Sequence, residues 1–270
     1  SYYRFLADMA KTIRKDGDTV GNRLKDVAKK LFVKARLTVS VTGESEEKEA
    51  LKKVLPLWLE AMPEGEKGTL LFDFDLQRRN EGIMTGGKVQ YVAKGGNFRT
   101  HGFEYTGAMS VLTTILQYEY LWIKVRVQGG AYGAHTRFSP NGDLVFCSYR
   151  DPNLAKTIQA YDDLPAYLES FDIPEREMTK YVIGTLSRID TPLTPQLRTG
   201  LALGIYFAKA TKAKRQERRD QLLNTTAGDI RALAPVVKAV MDDNNLCVMG
   251  SERKIKEEGR FFDDTVSLPK

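Results

Sequence analysis

The two histidines are the residues of this chain whose spacing can be compared most directly with a catalytic pattern. The segment His101 to Tyr105 reads His-Gly-Phe-Glu-Tyr, so Tyr105 stands where the second histidine of a His-x-x-Glu-His zinc motif would be. A hydrolytic zinc site needs about three converging ligands, and the glycines just upstream, in residues 95–97, indicate a loop. We therefore predict no metal site here. His135 has no nucleophile setting near it in the sequence, and we expect a surface or half-buried structural histidine.

A glycine-rich segment, residues 129–133, follows the mostly apolar run 122–127. It lacks the Lys-Ser/Thr pair of a P-loop and leads into a predicted strand, so ATP binding is not expected. Glycine permits unusual dihedral angles and close backbone approach, which either a tight connection or a bound peptide backbone could require. The residues alone leave these two alternatives open.

The composition predicts a soluble globular protein, with 42% hydrophobic and 28% charged residues. No stretch approaches the roughly 18 apolar residues of a membrane span, so we expect no membrane contact. The net charge is +6, but 35 acidic residues are interspersed among 41 basic ones. The basic run 209–219 is interrupted by Glu217, which favours a solvated helix face over a nucleic-acid site. Cys147 and Cys247 each lie in an apolar run, and we predict buried free thiols in strands.

The first part of the chain alternates between helical and extended patterns. Apolar residues recur at helical spacing over 19–32 and 46–62, and they alternate with polar residues over 37–41, which predicts two helices around a half-buried strand. Proline and glycine interrupt the charged stretch 63–68, where we place a domain boundary. An apolar run, 69–74, and a glycine-rich stretch, 82–87, follow.

The second part contains strands first and helices later. Strands are predicted over 88–93 and 246–249, a buried helix over 105–121, and a hairpin from 133–138 and 143–149 around an Asn-Gly turn. Later helices are predicted over 152–169, 175–190, 195–210 and 226–242. This order predicts an α+β fold, in which an antiparallel sheet packs against helices on one face as a two-layer sandwich.

Three segments resemble one enzyme family: residues 88–97, 120–133 and 148–154. Together they closely resemble the C-terminal half of the pitrilysin or insulinase-type zinc metallopeptidases (inverzincins), and in particular the presequence-protease branch. The resemblance extends over nearly the whole chain. It implies that residues 1–65 are the C-terminal end of the third homologous domain, and that residues 66–270 are the fourth domain, which contacts substrate and binds no zinc.

The resemblance also implies a function. In this family the zinc lies in the N-terminal half, and the C-terminal half supplies an Arg and a Tyr that reach the substrate near the scissile bond. By position these are Arg126 and Tyr132, with Gly129 and Gly130 as substrate-binding residues of the same loop. A guanidinium and a phenol are both suited to donate to a carbonyl or oxyanion.

The expected protein is thus a fragment of a zinc metalloendopeptidase that degrades unfolded peptides, and the isolated chain is expected to be inactive. Its expected partners are an unfolded peptide and the N-terminal half of the same polypeptide, with zinc as the cofactor of the full-length enzyme. The expected compartment is the cytoplasm, with a mitochondrial or plastid matrix as the alternative. The alternative function is a non-catalytic subunit or scaffold homologous to the peptidase.

Overall fold

The computed structural model describes residues 2–68 and 78–268. These residues form two compact units, one from residues 2–68 with 192–210 and the other from residues 78–191 with 211–268. The apolar run 69–74 lies outside the described residues. The division into domains 1–65 and 66–270 stays a prediction.

Helices make up most of the regular structure. The α-helices are α1 (Tyr2–Leu31), α2 (Ser45–Ala61), α3 (Ala108–Ile115), α4 (Ala155–Asp162), α5 (Leu164–Glu169), α6 (Glu175–Ile189), α7 (Pro195–Phe207), α8 (Lys212–Leu223), α9 (Ala227–Arg231), α10 (Ala234–Asp242) and α11 (Glu252–Glu257). Helix α3 continues into two π-helical segments, Leu116–Tyr120 and Trp122–Val127. No helix within the described ranges combines the length and apolar composition needed to cross a bilayer.

The six strands of the described residues form one sheet. They are β1 (Glu81–Thr85), β2 (Tyr91–Asn97), β3 (Gly133–Phe138), β4 (Asp143–Tyr149), β5 (Leu246–Ser251) and β6 (Asp264–Ser267), in the spatial order β3-β4-β2-β5-β1-β6. Strands β3, β4, β2 and β5 pair antiparallel with their neighbours in this order, whereas β1 runs parallel to both β5 and β6. The α+β class is confirmed, and the sheet is mixed at the edge that contains β1.

Among the described residues, the helices that pack on the sheet lie on one face, as predicted. Buried and exposed residues alternate along the strands, with Leu246 and Val248 of β5 on the buried side and Cys247 and Met249 on the other. Helices α3 and α10 pack on the buried side, against β3 and β2 respectively. The opposite side is called the open face below. A strand covered on one face produces this period of two.

The prediction of a strand over 37–41 is wrong. This segment follows a single 3-10 turn (Lys34–Arg36) and has no partner strand among the described residues. Its apolar side chains Leu37, Val39 and Val41 are all exposed in this structure. Alternation records which side chains could be buried together, but a strand also needs a neighbouring backbone to receive its hydrogen bonds.

Strand β1 lies in the stretch that the sequence marked as glycine-rich. Gly82 is buried beneath Ile255 and Phe262, and a β-carbon there would lie 2.8 Å from Ile255 Cγ2. Glycine in this strand therefore allows α11 to approach the sheet closely. No strand was predicted here from the sequence, because the packing partner lies some 170 residues further along the chain.

Two long helices predicted late in the chain are each divided in two. Residues 152–169 contain α4 and α5, and residues 226–242 contain α9 and α10. Both second helices have proline in their first turn, Pro165 and Pro235. Proline has no N–H to donate to the preceding turn but suits a helix start, so the chain ends one helix and begins another.

Candidate functional site

Arg126 and Tyr132 lie at the end of the helical run that begins with α3. The π-helical turns keep Leu121 and Val125 fully or almost fully buried, while Trp122 and Arg126, one turn apart, face outward. Single-turn π-helices often occur at functional sites, because the inserted residue shifts the direction of the side chains after it. Here the shift comes immediately before the glycine loop.

The glycine loop turns the chain by backbone hydrogen bonds to the helix end. Gly130 N donates to Arg126 O (2.8 Å), and Ala131 N donates to Val125 O (3.1 Å). Gly130 has a φ of +80°, and a β-carbon on Gly129 would lie 2.4 Å from Val125 O. A tight connection therefore accounts for both glycines, one by backbone conformation and one by close approach. Their contact with a substrate stays a prediction.

The loop is also fastened to the corner after β4. Asn153 Nδ2 donates to Gly129 O (2.5 Å), and Tyr132 N donates to Tyr149 O (3.1 Å). Asp151, which is fully buried, accepts hydrogen bonds from Asn153 N (2.8 Å) and from Thr157 Oγ1 (2.6 Å). The carboxylate of Asp151 thus positions Asn153, which in turn binds the glycine loop.

The guanidinium of Arg126 lies between two aromatic rings. Its Cζ atom is 4.0 Å from the ring centroid of Trp122 and 5.9 Å from that of Tyr132. No carboxylate of the described residues comes within ion-pair distance of it. Stacking orients a guanidinium without using its N–H donors, so these donors face an open pocket.

The pocket has a volume of about 400 Å³. Its lining residues are Gln117, Trp122, Arg126, Tyr132, Gly133, Ala134, His135 and Tyr149. Tyr132 is 67% exposed, so its hydroxyl is accessible to a ligand. One guanidinium, two phenols and one imidazole line this pocket, a set that can donate hydrogen bonds to carbonyl oxygens.

Sequence reasoning gave no site role to Trp122, His135 or Tyr149, which all line this pocket. Trp122 had a usable signal, because it precedes Arg126 by four residues and such residues meet on one side of a helix. His135 was predicted to be a surface or half-buried structural histidine, and it is exposed on β3, where it lines the pocket wall. Tyr149 reaches the pocket through the β3–β4 register, which local sequence does not encode.

The other histidine and the acidic residues do not assemble a metal site. His101 Nε2 lies 2.8 Å from Asp243 Oδ2, far from the pocket in sequence. Within residues 2–68 and 78–268, no three His, Cys, Asp or Glu side chains lie close enough together to hold a metal ion.

Both cysteines are free and lie on the open face. Cys147 and Cys247 flank Ala93 in register, on strands β4 and β5. The prediction of strand positions is confirmed, but the prediction of burial is wrong, since Cys147 is partly buried and Cys247 is exposed. Partial burial nevertheless raises the pKa of both thiols, and Glu81 adds to this effect at Cys247. Neither thiol is activated as a nucleophile.

A family model described as the PreP C-terminal domain matches residues 80–252, which is more than half of the chain. The match includes the glycine loop, Arg126, Tyr132 and five of the six strands described above.

Curated relatives align over nearly the whole chain. Protein HypA of Clostridium perfringens is 39% identical over 100% of this chain and 27% of its own length. The chloroplastic/mitochondrial presequence protease 1 of Arabidopsis thaliana is 30% identical over 97% of this chain and 25% of its own length. The chain thus spans about a quarter of the length of these relatives.

Solved structures show the same fold at low identity. A peptidase M16 inactive domain from Pseudomonas fluorescens has a TM-score of 0.56 at 14% identity, covering 84% of this chain and 56% of its own. Pitrilysin has a TM-score of 0.53 at 11% identity, covering 83% of this chain and 25% of its own. The family model, the sequence relatives and the shared fold agree. The chain belongs to the pitrilysin (M16) peptidase family, in its presequence-protease branch, and corresponds to a C-terminal portion of these proteins.

Proposed function

We propose that this chain is the substrate-contacting C-terminal part of a zinc-dependent endopeptidase that degrades unfolded peptides. The observation that carries the proposal is the Arg126 guanidinium, held by Trp122 beside the exposed Tyr132, with its donors turned to an open pocket. The relatives named presequence proteases support peptides as the substrate class.

In this proposal Arg126 and Tyr132 act on the peptide backbone. The guanidinium donates charge-assisted hydrogen bonds to a carbonyl oxygen near the scissile bond and fixes the peptide in place. The Tyr132 hydroxyl donates to the carbonyl oxygen that becomes negatively charged as the bond is attacked. Both groups are preorganised by the loop contacts described above, so little reorganisation is required when substrate binds.

The zinc and its ligands are assigned to the N-terminal half of the same polypeptide, together with the group that activates water. The domain division at residues 65 and 66 belongs to the same proposal, as does a cytoplasmic location, with an organelle matrix as the alternative. The organelle alternative is supported by relatives that are named as mitochondrial or chloroplastic proteins.

The test is the change Tyr132→Phe in the complete protein, with zinc content and peptide cleavage measured together. We expect kcat to fall by about a hundredfold, because one donor to the developing oxyanion is lost. Zinc content should stay unchanged, because no zinc ligand is altered. Unaltered turnover in this variant would remove the role of Tyr132. A complete protein that contains no zinc and cleaves no peptide would favour the alternative of a non-catalytic subunit.

A further inference from the structure

A continuous row of large side chains leads away from the pocket across the open face. The ring of Tyr132 contacts that of Tyr149 at 5.8 Å between centroids, and Tyr149 contacts Tyr91 at 5.4 Å, both edge to face. Tyr91 is in register with Met249 of β5, and Met249 with Ile83 of β1. We call Tyr149, Tyr91, Met249 and Ile83 the apolar row.

The row runs perpendicular to the strands and ends at the sheet edge. Ile83 is in register with Val266 of β6, which is buried and closes the row. Three strand spacings of about 4.8 Å give a length of about 14 Å, which an extended peptide of about four residues would span. The row therefore reaches well beyond the peptide bond that Arg126 and Tyr132 are proposed to contact.

The row is one side chain wide. On one side it is bordered by the in-register pair Thr85 and Ser251, and on the other by the small residues Cys147, Ala93 and Cys247. Met249 is 37% exposed and Tyr149 is 43% exposed, so each presents an accessible apolar surface. Stable protein interfaces bury about 800 Å² on each partner. A strip of this width is too narrow for that and fits a single extended chain.

We infer that the apolar row binds large apolar or aromatic side chains of the peptide substrate, several residues away from the scissile bond. The inference rests on the proposed function and deepens it by naming the kind of residue that is selected. Continuity with the pocket supports this occupant, because the ring contacts run from Arg126 to Tyr91 without a gap. Binding energy from such remote contacts holds the reacting bond in position.

The experiment uses the complete protein and two quenched unstructured peptides. The peptides share one scissile segment and differ only at positions about four to seven residues away, which carry Phe in one and Ser in the other. We expect the original protein to cleave the Phe peptide with the lower KM. Met249→Ser should raise that KM by about threefold to tenfold, the effect of losing about one to two buried CH₂ groups, and leave the KM for the Ser peptide unchanged.

Val145→Ser is the matched control, because Val145 is on the open face with 36% exposure but lies outside the row. This substitution should leave the KM for both peptides unchanged. Met249→Leu keeps an apolar side chain and should retain the preference for Phe, which separates a lost contact from a folding defect.

Two outcomes would overturn the inference. One is equal cleavage of both peptides by the original protein. The other is an equal loss of cleavage of both peptides in Met249→Ser. If the sedimentation coefficient of that variant also changes, the row is covered by a protein and not by the substrate. These outcomes are independent of the proposed function, which Tyr132→Phe tests by turnover on either peptide.

Discussion

Arg126 depends on Trp122 for its position. A stacked guanidinium keeps its hydrogen-bond donors free, whereas an ion pair would occupy them with a carboxylate. The aromatic support is therefore compatible with binding a neutral carbonyl oxygen, and an acidic support would not be.

Trp122→Ala in the complete protein should lower kcat/KM for peptides by about two- to fivefold, since a cation–π contact at an exposed site contributes about 0.5–1 kcal/mol. The loss should appear mainly in KM, because the donors of Arg126 remain but are no longer oriented. Tyr118→Ala is the control, because Tyr118 is exposed on the same helical run and does not line the pocket. A larger effect of Tyr118→Ala than of Trp122→Ala would contradict this account.

At the scale of elements, local signals predicted what local interactions form. The hairpin of β3 and β4 was predicted from its Asn-Gly turn signal. In the structure Gly142 has a φ of +104°, and Asn141 Nδ2 donates to Asp143 Oδ2. Helices α2 and α6 were predicted with ends within a residue or two, because their apolar stripes are continuous. The family motifs around the glycine loop identified Arg126 and Tyr132, while composition and spacing alone left that loop undecided.

What was missed depends on partners distant in sequence. Strand β1 was not predicted, because the need for glycine at position 82 comes from its close packing against Ile255, which is distant in sequence. A strand was predicted over 37–41 because apolar and polar residues alternate there. No partner strand lies beside this segment among the described residues. The pocket residues on β3 and β4 required the register, which is set by the whole sheet.

The glycine loop offers a test of element geometry. Gly129→Ala should lower the free energy of unfolding by about 1–3 kcal/mol, because the added methyl group would meet a backbone carbonyl oxygen that cannot move alone. It should also lower kcat, since the loop carries Tyr132.

Gly184→Ala is the matched control for this change. Gly184 lies inside α6 with open space where a β-carbon would be. Alanine there should raise the free energy of unfolding by about 0.5–1 kcal/mol. Chemical denaturation followed by circular dichroism measures both variants, and an equal response to the two substitutions would contradict the packing described for Gly129.

At the scale of the whole molecule, folding raises the pKa of several tyrosines. Burial raises the pKa of Tyr161 well above its usual value, and it raises that of Tyr167 to about 12, with Glu119 adding to the effect. Burial also raises the pKa of Tyr120, where Asp163 contributes. The folded state therefore holds these protons at a pH where the unfolded chain releases them.

The sign of the pH dependence follows. The stabilisation is fully present below about pH 10, the pKa of an unfolded tyrosine, and is lost as the pH rises toward about 12. We expect the free energy of unfolding to fall over this interval, and Tyr167→Phe to make the fall shallower. Tyr206→Phe, at a 61% exposed position, is the control. Denaturant titrations at several alkaline pH values provide the measurement, and identical slopes in all three proteins would count against the assignment.

The position of β1 between β5 and β6 has a consequence for how the protein is made. A ribosome releases β1 long before it releases either neighbour, since β5 begins at Leu246 and β6 at Asp264. Parallel pairing over such a separation forms slowly, and β1 has no strand partner among the described residues until β5 emerges. The apolar row includes Met249, so it is assembled only after β5 has emerged. A nascent chain stalled before residue 246 carries Arg126 and Tyr132 but an incomplete row, and it exposes the edge of β2 to aggregation or chaperones.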